Sequence, residues 1–481
     1  MKSKEEQLTE ELKIVKLTLQ TEKAKNKSLQ RQNRSLESRL GTGMKQSEAL
    51  KAACSVLKKT EGLNRTIARE PIRRHQYSVD IVSLSVESYV RARCGFRGAV
   101  DMLSHMNESF GWKLKKVPNR NGIENRLKKS GYSICKEPAY AGPEEEHAQT
   151  TDEGMMPGSD KMLPSLGVNA EKKSDVPLRR SDVRVSDISV ASGWNGTGIR
   201  AVLAATEKKE GKPPPYVISD NDTKLNGAIR ESNCVHVRDI GHTMALPVER
   251  QYGKDKRFKA CTKAVAGVKV REAMRETGCL LPPRQRTVAR LMNLSQTVGW
   301  SKNMQRIFAS PSANGKQTLD FVNTHGKTTG ELNCIPGFVN HALKLIRSEG
   351  MSKKSIDACL KGMDKMLKRN NRRINRFKLS VRQYLERERD RLANEKSVWN
   401  ASSDIIESLF GCHKFKRSRN PLHGVTACVL ILPTRTGDGG HPSAVGFKRC
   451  LEGVFMKDLE SWTKDSLTDN LAVKRRKKLA G

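Results

Sequence analysis

The sequence lacks the features that mark a membrane or secreted protein. No apolar signal segment precedes the first charged residues, and no apolar run is long enough to span a bilayer. Eleven cysteines are present, but none forms a C-x-x-C pair, and Cys234/His236 and Cys412/His413 are isolated neighbours. These absences argue against a disulfide framework and a zinc ribbon, and they predict reduced thiols in a cytoplasmic protein without a membrane partner.

Acidic residues are scarce relative to basic ones. The chain has 89 Lys and Arg against 52 Asp and Glu, a formal net charge of +37. An excess of this size favours a polyanionic partner, and DNA or RNA is the common one. A basic structural protein of the ribosomal or nucleoid kind has the same property, so charge predicts a partner and no reaction. The length of 481 residues leaves room for two or three domains.

Residues 1–40 have a heptad pattern. One seam is formed by Leu8, Val15, Glu22, Leu29 and Leu36, and the other by Leu12, Leu19, Asn26, Asn33 and Leu40. Asparagines at the same core position of successive heptads pair well across a parallel dimer. The pattern therefore predicts a coiled coil and a homodimer, although Glu22 interrupts the seam. A solvated helix without a partner is the alternative.

A small helical domain is predicted at residues 68–135, after a glycine-containing linker at 41–67. Ile81, Leu84 and Val90 form the apolar side of a first helix, and Leu103 points inward from a second. A polar basic helix from Asn121 to Lys129 follows Pro118 and ends at Ser130-Gly131. Three short helices with a marked turn before a basic one are typical of a helix-turn-helix.

The polar face of that third helix supplies candidates for DNA recognition. In a helix-turn-helix, amides and guanidinium groups of the last helix pair with base edges in the major groove. The candidate DNA-binding residues are Asn121, Asn125, Arg126 and Lys129. A helical bundle whose surface is merely charged would have the same composition.

Strands and helices alternate from residue 148 to residue 253. Three candidate strands precede a helix from Trp194 to Lys209, and the apolar strand Tyr216-Val217-Ile218 runs into Asp220. A helix, the strand Val235-His236-Val237 and a further helix complete the series. Three strands, a helix, then strand-helix-strand-helix is the order of an RNase H-like sheet, so the predicted fold class is mixed α+β.

That order predicts where carboxylates meet. The first and fourth strands are adjacent in such a sheet, so Asp152 and Asp220 should approach each other at one edge and hold hard divalent cations. A later helix supplies a third acid. In SSDIIESLFG the hydroxyls cap the helix, the apolar residues pack down, and Glu407 is left to reach the metal.

Each of these acids has a neighbour that leaves the assignment open. Glu153 follows Asp152, Asp222 follows Asp220 in an ordinary turn sequence, and Asp404 precedes Glu407 on the same helix face. Any of the three candidates could therefore be a capping or turn-forming side chain while its neighbour takes the other role.

Residues 254–400 read as an all-helical insertion with a dense basic load, including Lys368, Arg372, Arg373 and Arg376. We expect such an insertion to lie over the acidic edge and contact DNA backbone. Trp399 is a candidate for stacking on an unpaired base, although core packing is the commoner use of an isolated tryptophan. After the last acid, Lys414, Lys416 and Arg417 are placed to hold a scissile phosphodiester.

Four ordered blocks resemble the DDE transposases of bacterial insertion sequences, in the group with a helix-turn-helix and a helical insertion before the last acid. The blocks are TDEGMMPGSDKML around Asp152, YVISDNDTKLNGAIR around Asp220, VRDIGHTMA around Asp239 and SSDIIESLFGCHKFKRS around Glu407. They lie within residues 75–460, which is most of the chain.

The resemblance implies a chemistry and a set of residues. Asp152, Asp220 and Glu407 would be the catalytic triad that holds Mg²⁺ or Mn²⁺, and Asp239 with His242 would match an accessory D-x-x-H signature. The enzyme would cut and join DNA at the ends of its own element, using double-stranded DNA as both transposon end and target. A bacterial, nucleoid-associated location is implied as well.

The expected organisation is a coiled coil at 1–40, a linker at 41–67, a helix-turn-helix at 68–135, the first part of an RNase H-like core at 148–253, a helical insertion at 254–400, the end of the core at 401–460 and a basic tail at 461–481. Pro157, Pro164 and the polar stretch HAQTT depart from the apolar strands expected around the first acid. A catalytically inactive DNA-binding relative and a different RNase H-like nuclease remain alternatives.

Overall fold

The structure is a computed structural model of the chain. It describes residues 72–92, 94–138, 146–155, 160–232, 234–272, 281–283, 294–307, 320, 322–368, 371–415, 424–437 and 444–480. The predicted coiled coil at 1–40 and linker at 41–67 lie outside the described residues. Contacts divide the chain into two units, Met1–Arg126 and Leu127–Gly481.

The described part of the first unit is helical, as the apolar spacing predicts. It contains α1 (Val79–Val90), α2 (Phe96–Ser109) and the first residues of α3 (Arg120–Lys136). Ile81, Leu84 and Leu103 are buried, and Ile123 and Trp112 join them in the interior. The number and order of the helices therefore agree with the prediction, while the end of α3 does not.

Helix α3 runs through Ser130-Gly131, where the sequence predicted its end, and continues to Lys136. Gly131 marks a close approach of two backbone segments instead of a helix terminus. A Cβ added at Gly131 would lie 1.5 Å from the carbonyl oxygen of Leu430. The absence of a side chain, and not the conformational freedom of glycine, is what this position requires.

The second unit is built on one mixed sheet. Its strands are β1 (His147–Thr151), β2 (Gly154–Met155), β3 (Lys161–Asn169), β4 (Val183–Ala191), β5 (Tyr216–Ser219) and β6 (Val235–Arg238). The order along the sheet is β2-β3-β1-β5-β6. β1 and β2 pair with the same side of β3, and β4 pairs with the opposite side. β3 is antiparallel to β1 and β4, whereas β5 is parallel to both β1 and β6.

Strand β1 is buried along its whole length although its sequence, HAQTT, is polar. Two of its side chains are accommodated by hydrogen bonds. Gln149 Nε2 donates to Ser165 Oγ at 2.9 Å, and Thr151 Oγ1 donates to the carbonyl of Pro164 at 3.0 Å. These two polar side chains are therefore satisfied inside the sheet, whereas Thr150 Oγ1 is buried without a hydrogen-bond partner in the described part of the chain.

Pro164 lies within β3 without breaking it. Thr151, the last residue of β1, pairs with Ser165, so Pro164 faces the position just past the end of β1. A register shift between Ser165 and Leu166 interrupts the pairing with β4 next to the proline. A missing N–H is tolerated where a ladder ends or bulges, which accounts for a proline in this strand.

Helices cover the sheet and continue beyond it. They are α4 (Gly196–Glu210), α5 (Thr223–Glu231), α6 (Ile240–Tyr252), α7 (Lys256–Glu272), α8 (Leu294–Ile307), α9 (Gly326–Leu332), α10 (Cys334–Glu349), α11 (Lys353–Met366), α12 (Arg372–Arg391), α13 (Asp404–Phe415), α14 (Ala444–Gly453), α15 (Met456–Ser466) and α16 (Leu471–Ala480). Short 3-10 helices occur at Arg180–Asp182, Ala427–Ile431 and Pro433–Arg435.

The described part of the predicted insertion at 254–400 shares its hydrophobic core with the sheet. One hydrophobic cluster includes Leu166 and Ile218 from the sheet together with Phe338 of α10 and Phe377 of α12. The hydroxyl of Tyr384 in α12 donates to the carbonyl of Arg238 at the end of β6, at 3.1 Å. The helical segment is thereby tied to the edge of the sheet where the candidate acids follow the strands.

In the described part of the chain, we find no helix that combines the length and the apolar character needed to cross a bilayer.

Candidate active site

Three aspartates lie level with one another at the carboxyl ends of neighbouring parallel strands. In the register of β1 and β5, Thr150 pairs with Ile218, and continuing it two residues brings Asp152 level with Asp220. In the register of β5 and β6, Ser219 pairs with Arg238, so the next residues are Asp220 and Asp239. Adjacent strands are about 4.8 Å apart, so this row concentrates three carboxylates at one edge of the sheet.

Asp152 and its neighbour Glu153 have different surroundings. Glu153 forms an ion pair with Lys161 at the start of β3. Burial raises the pKa of Asp152 well above its usual range, and the charges of Asp220, Asp239 and Glu407 raise it further against a lowering hydrogen bond from the Glu153 backbone. The residue that belongs to the acidic cluster is therefore Asp152.

Asp220 and Asp222 also have different surroundings. The Asp222 side chain accepts a hydrogen bond from Lys224 N at 2.7 Å and caps α5. Asp220 accepts one bond from the Asp222 backbone, and burial raises its pKa, with His242 acting in the opposite direction. His242 thus stands close enough to Asp220 to stabilise its charged form.

Helix α13 brings Glu407 to the same edge. Ile405, Ile406, Leu409 and Phe410 are buried, as their spacing predicts, and Glu407 is exposed. Asp404, at the first position of the helix, forms an ion pair with Arg347 and accepts a hydrogen bond from Ser402 Oγ at 2.8 Å. Among the two acids of this helix face, Glu407 is the one that contributes to the raised pKa of Asp152.

Asp239 joins two helix N-termini and is 1% exposed. Its Oδ1 accepts from His242 N at 2.8 Å and so caps α6. Its Oδ2 accepts from the backbone N and the Oγ of Ser403, the residue before α13, at 2.7 and 3.1 Å. Since both oxygens are occupied by donors, Asp239 positions the helix that carries Glu407, whereas the sequence placed it among the catalytic residues by resemblance alone.

Two more contacts fix α13 against the row of acids. Ile240 N donates to the Ala401 carbonyl at 3.0 Å, directly beside the Asp239–Ser403 contact. On the other side, Gly154 lies under the ring of Phe410, where an added Cβ would come within 2.2 Å of the ring. The segment just after Asp152 and the helix of Glu407 are therefore packed directly against each other.

The donors of this cluster suit a hard divalent cation in their chemistry. Mg²⁺ prefers carboxylate oxygens, and a cation would offset the effects of burial and of the neighbouring carboxylates, which raise the pKa of Asp152 and of Asp220. Within the described residues, however, no group of three His, Cys, Asp or Glu side chains stands ready to hold a metal ion.

The candidate DNA-binding residues of α3 have unequal exposure. Asn121 is exposed, and Asn125 and Lys129 are half-buried. The guanidinium of Arg126 lies 5.2 Å from the centre of the Tyr77 ring, and burial lowers its pKa. Arg126 is thus engaged inside the first unit, which leaves Asn121 as the most accessible of the four.

The basic residues expected after Glu407 are described only in part. Lys414 lies in α13, but the position of its side chain is outside the described part of the structure, as are Lys416 and Arg417. In the insertion, Arg373 pairs with Asp255 and lies over the Tyr252 ring. Trp399 stacks on Tyr216 with ring centres 4.8 Å apart. These two residues therefore have structural contacts within the chain, and their contact with DNA stays a prediction.

Two residues that shape the site escaped the sequence reasoning. Ser403 was recognised as a capping hydroxyl, but its partner Asp239 lies 164 residues away. Gly154 carries no signal of its own, because its importance depends on the ring of Phe410. Contacts of such long range cannot be inferred from a single sequence.

Comparison with known proteins leaves the chain without an assigned family, because no protein-family model matches it and no match was found among curated proteins.

Proposed function

We propose that the protein is a DDE-type DNA transposase that binds the ends of its own insertion sequence and catalyses metal-dependent strand cleavage and strand transfer. The observation that carries the proposal is the alignment of Asp152 and Asp220 at equivalent positions of adjacent parallel strands, with Glu407 supplied by a helix packed beside them.

The sheet supports the proposal beyond the acids. Three strands that pair in antiparallel fashion are followed by two that run parallel to the first, in the order β4-β3-β1-β5-β6. This is the arrangement expected of an RNase H-like core. The first two acids directly follow β1 and β5, which are adjacent in the sheet. The resemblance of the four sequence blocks to DDE transposases points to the same chemistry.

Each residue of the proposed site has a stated task. Asp152, Asp220 and Glu407 would hold Mg²⁺ or Mn²⁺, which when bound would activate the attacking hydroxyl and stabilise the leaving oxygen. Asp239 holds the helix of Glu407 through Ser403. His242 lies beside Asp220 and favours its charged form.

The test is cleavage of labelled DNA that carries the element's own ends, with Mg²⁺ or Mn²⁺. We expect Asp220→Asn and Glu407→Gln each to lower the cleavage rate by at least about a thousandfold, since loss of metal positioning removes most of the stabilisation of the leaving group. Asp222→Asn and Asp404→Asn are matched controls that change a neighbouring acid and should retain activity. End joining into a target plasmid separates a transposase from an RNase H-like nuclease, which would cut without joining.

A second function fits one observation. Since no described group of three side chains stands ready to hold a metal ion, an inactive transposase-derived DNA-binding protein or regulator is the alternative. Specific binding to the ends without cleavage under either metal would favour it. Cleavage that survives in both acid variants would contradict the proposed mechanism itself.

A further inference from the structure

The C-terminal segment is anchored at the acidic edge of the sheet. β3 runs antiparallel to β1, so β3 begins at the edge where β1 ends. Asp160, the residue before β3, therefore lies at the same edge as Asp152. Next to it, Lys161 pairs with Glu153 in the segment that follows the first acid.

Asp160 is 3% exposed, and its partners come from the end of the chain. Thr468 Oγ1 donates to its Oδ1 at 2.6 Å, and Lys474 Nζ lies 3.8 Å from the same oxygen. A Cβ added at Gly424 would meet Asn470 at 3.0 Å and Asp160 at 3.4 Å. The start of α16 is thus held by a buried carboxylate and by close packing, and α15 before it buries Leu459.

The rest of α16 presents positive charge. Arg475, Arg476, Lys477 and Lys478 are all exposed. Lys477 pairs with Asp469 at 2.7 Å. Within the described residues, Arg475, Arg476 and Lys478 have no carboxylate partner. These three cationic side chains lie on a helix that is anchored to Asp160 at the acidic edge of the sheet, and a row of exposed positive charges suits the phosphates of a nucleic acid.

We propose that α16 is a backbone-binding element that holds double-stranded DNA at the acidic edge, and we call Arg475, Arg476 and Lys478 the C-terminal basic patch. This inference rests on the proposed function for the identity of the polyanion. It gives the basic tail at 461–481 a fixed position, which the run of charged residues alone does not predict.

The test measures binding and not cleavage, so its failure is distinguishable from failure of the proposed function. In the full chain, the patch is neutralised as Arg475→Gln, Arg476→Gln and Lys478→Gln, and affinity for a duplex is measured by fluorescence anisotropy between about 50 and 200 mM salt. Loss of three phosphate contacts should reduce the slope of log affinity against log salt by about 2 to 3.

Matched controls separate position from charge. Lys173, Lys208 and Lys396 are exposed residues at the opposite edge of the sheet, and replacing them with Gln removes the same charge. That control should leave the slope nearly unchanged. The variant with Arg475→Lys and Arg476→Lys keeps the charge of the patch and should have the slope of the wild type. A photocrosslinker at position 476 should label the duplex, and one at position 396 should not.

Three results would overturn the inference. An unchanged slope in the patch variant would show that α16 does not touch DNA. An equal decrease in the control would reduce the effect to net charge. A decrease seen with single-stranded RNA or with anionic lipid vesicles, and absent with duplex DNA, would assign the patch to a different partner.

Discussion

Asp152 carries an electrostatic cost that its neighbours create. Burial and the charges of Asp220, Asp239 and Glu407 all oppose its ionisation. The neighbouring Glu153 instead forms an ion pair with Lys161. A strained carboxylate of this kind is retained where ionisation serves binding or catalysis, which is the reason to test it first.

Asp152→Asn should stabilise the protein at neutral pH without divalent metal. Because the folded-state pKa of Asp152 is raised, its contribution to stability is complete below the unfolded value of about 3.9 and is lost as pH rises through the folded value. We therefore expect the variant to be more stable than the wild type at pH 7, and the difference to shrink as the pH falls and Asp152 becomes protonated. Thermal unfolding from pH 4 to pH 8 measures the gain.

Asp222→Asn is the control, since asparagine retains the cap of α5 and the residue is exposed. A similar gain in both variants would mean that removal of any one carboxylate, and not the burial of Asp152, causes the gain.

Divalent metal should stabilise the wild type more than the Asp152→Asn variant. Adding Mg²⁺ or Mn²⁺ at millimolar concentration should raise the unfolding temperature of the wild type and have little effect on Asp152→Asn, because bound cation offsets the repulsion among the acids. Differential scanning fluorimetry with and without EDTA gives the comparison. A metal effect of equal size in the variant would place the binding site elsewhere.

Asp239→Ala should destabilise the second unit by about 2 kcal/mol or more. The substitution leaves the N–H groups of His242 and Ser403 without their acceptor. Denaturant unfolding gives the magnitude. Ser403→Ala removes only the hydroxyl contact and should cost less, so an equal loss in the two variants would contradict the role given to the carboxylate.

At the scale of elements, the position of α13 decides whether Glu407 can reach the other acids. The helix is held at its start by Asp239 and Ala401, and along its length by burial of its apolar side. Phe410 closes over Gly154, two residues after Asp152. Any change that moves this helix should therefore alter the site without touching an acid.

Gly154→Ala should cost about 1 to 3 kcal/mol, because its Cβ would overlap the Phe410 ring and overpacking strains both segments. Combining it with Phe410→Leu should recover part of the loss, since the smaller side chain makes room. A double-mutant cycle of unfolding free energies measures the coupling. Strictly additive losses would mean that the two residues do not press on each other.

Two glycines in helices should respond in opposite ways to alanine. Gly131→Ala places a methyl group against the Leu430 carbonyl and should destabilise strongly. Nothing lies within 4 Å of a Cβ at Gly411, so Gly411→Ala should stabilise by up to about 1 kcal/mol through helix propensity. Chemical unfolding distinguishes the two, and a stable Gly131→Ala protein would contradict the close approach of α3 to that segment.

At the scale of the whole molecule, the net charge of +37 is a cost of folding as well as a means of binding. Like charges repel in the compact state, and salt screens that repulsion over about 10 Å at 0.1 M. We expect the unfolding temperature to rise between about 10 and 300 mM NaCl and to rise further with duplex DNA. A temperature that falls with salt would show that favourable ion pairs outweigh the repulsion.

The strands and helices of residues 146–252, and helix α13, could be predicted because their signals are local. Alternation predicts β4, an apolar run predicts β5, and the spacing of Ile405, Ile406 and Leu409 predicts the buried side of α13. The polar sequence of β1 and the presence of Pro164 in β3 argued against strands at these positions. The hydrogen bonds that accommodate polar side chains of β1 come from β3, so they could not be seen in the local sequence. The predicted end of α3 was wrong for the same reason, because Gly131 is required by the close approach of the Leu430 backbone and does not end the helix.

The sequence by itself determined the mixed α+β class, the positions of the strands and the presence of acids after two of them, because periodicity and charge are properties of short segments. It left each candidate acid beside a neighbouring acid that could take its place. Only the tertiary structure shows that their surroundings differ, because Glu153, Asp222 and Asp404 have partners of their own and Asp239 is turned toward Ser403. These differences depend on contacts between side chains that are far apart in the sequence. Such contacts are set by strand register and helix packing.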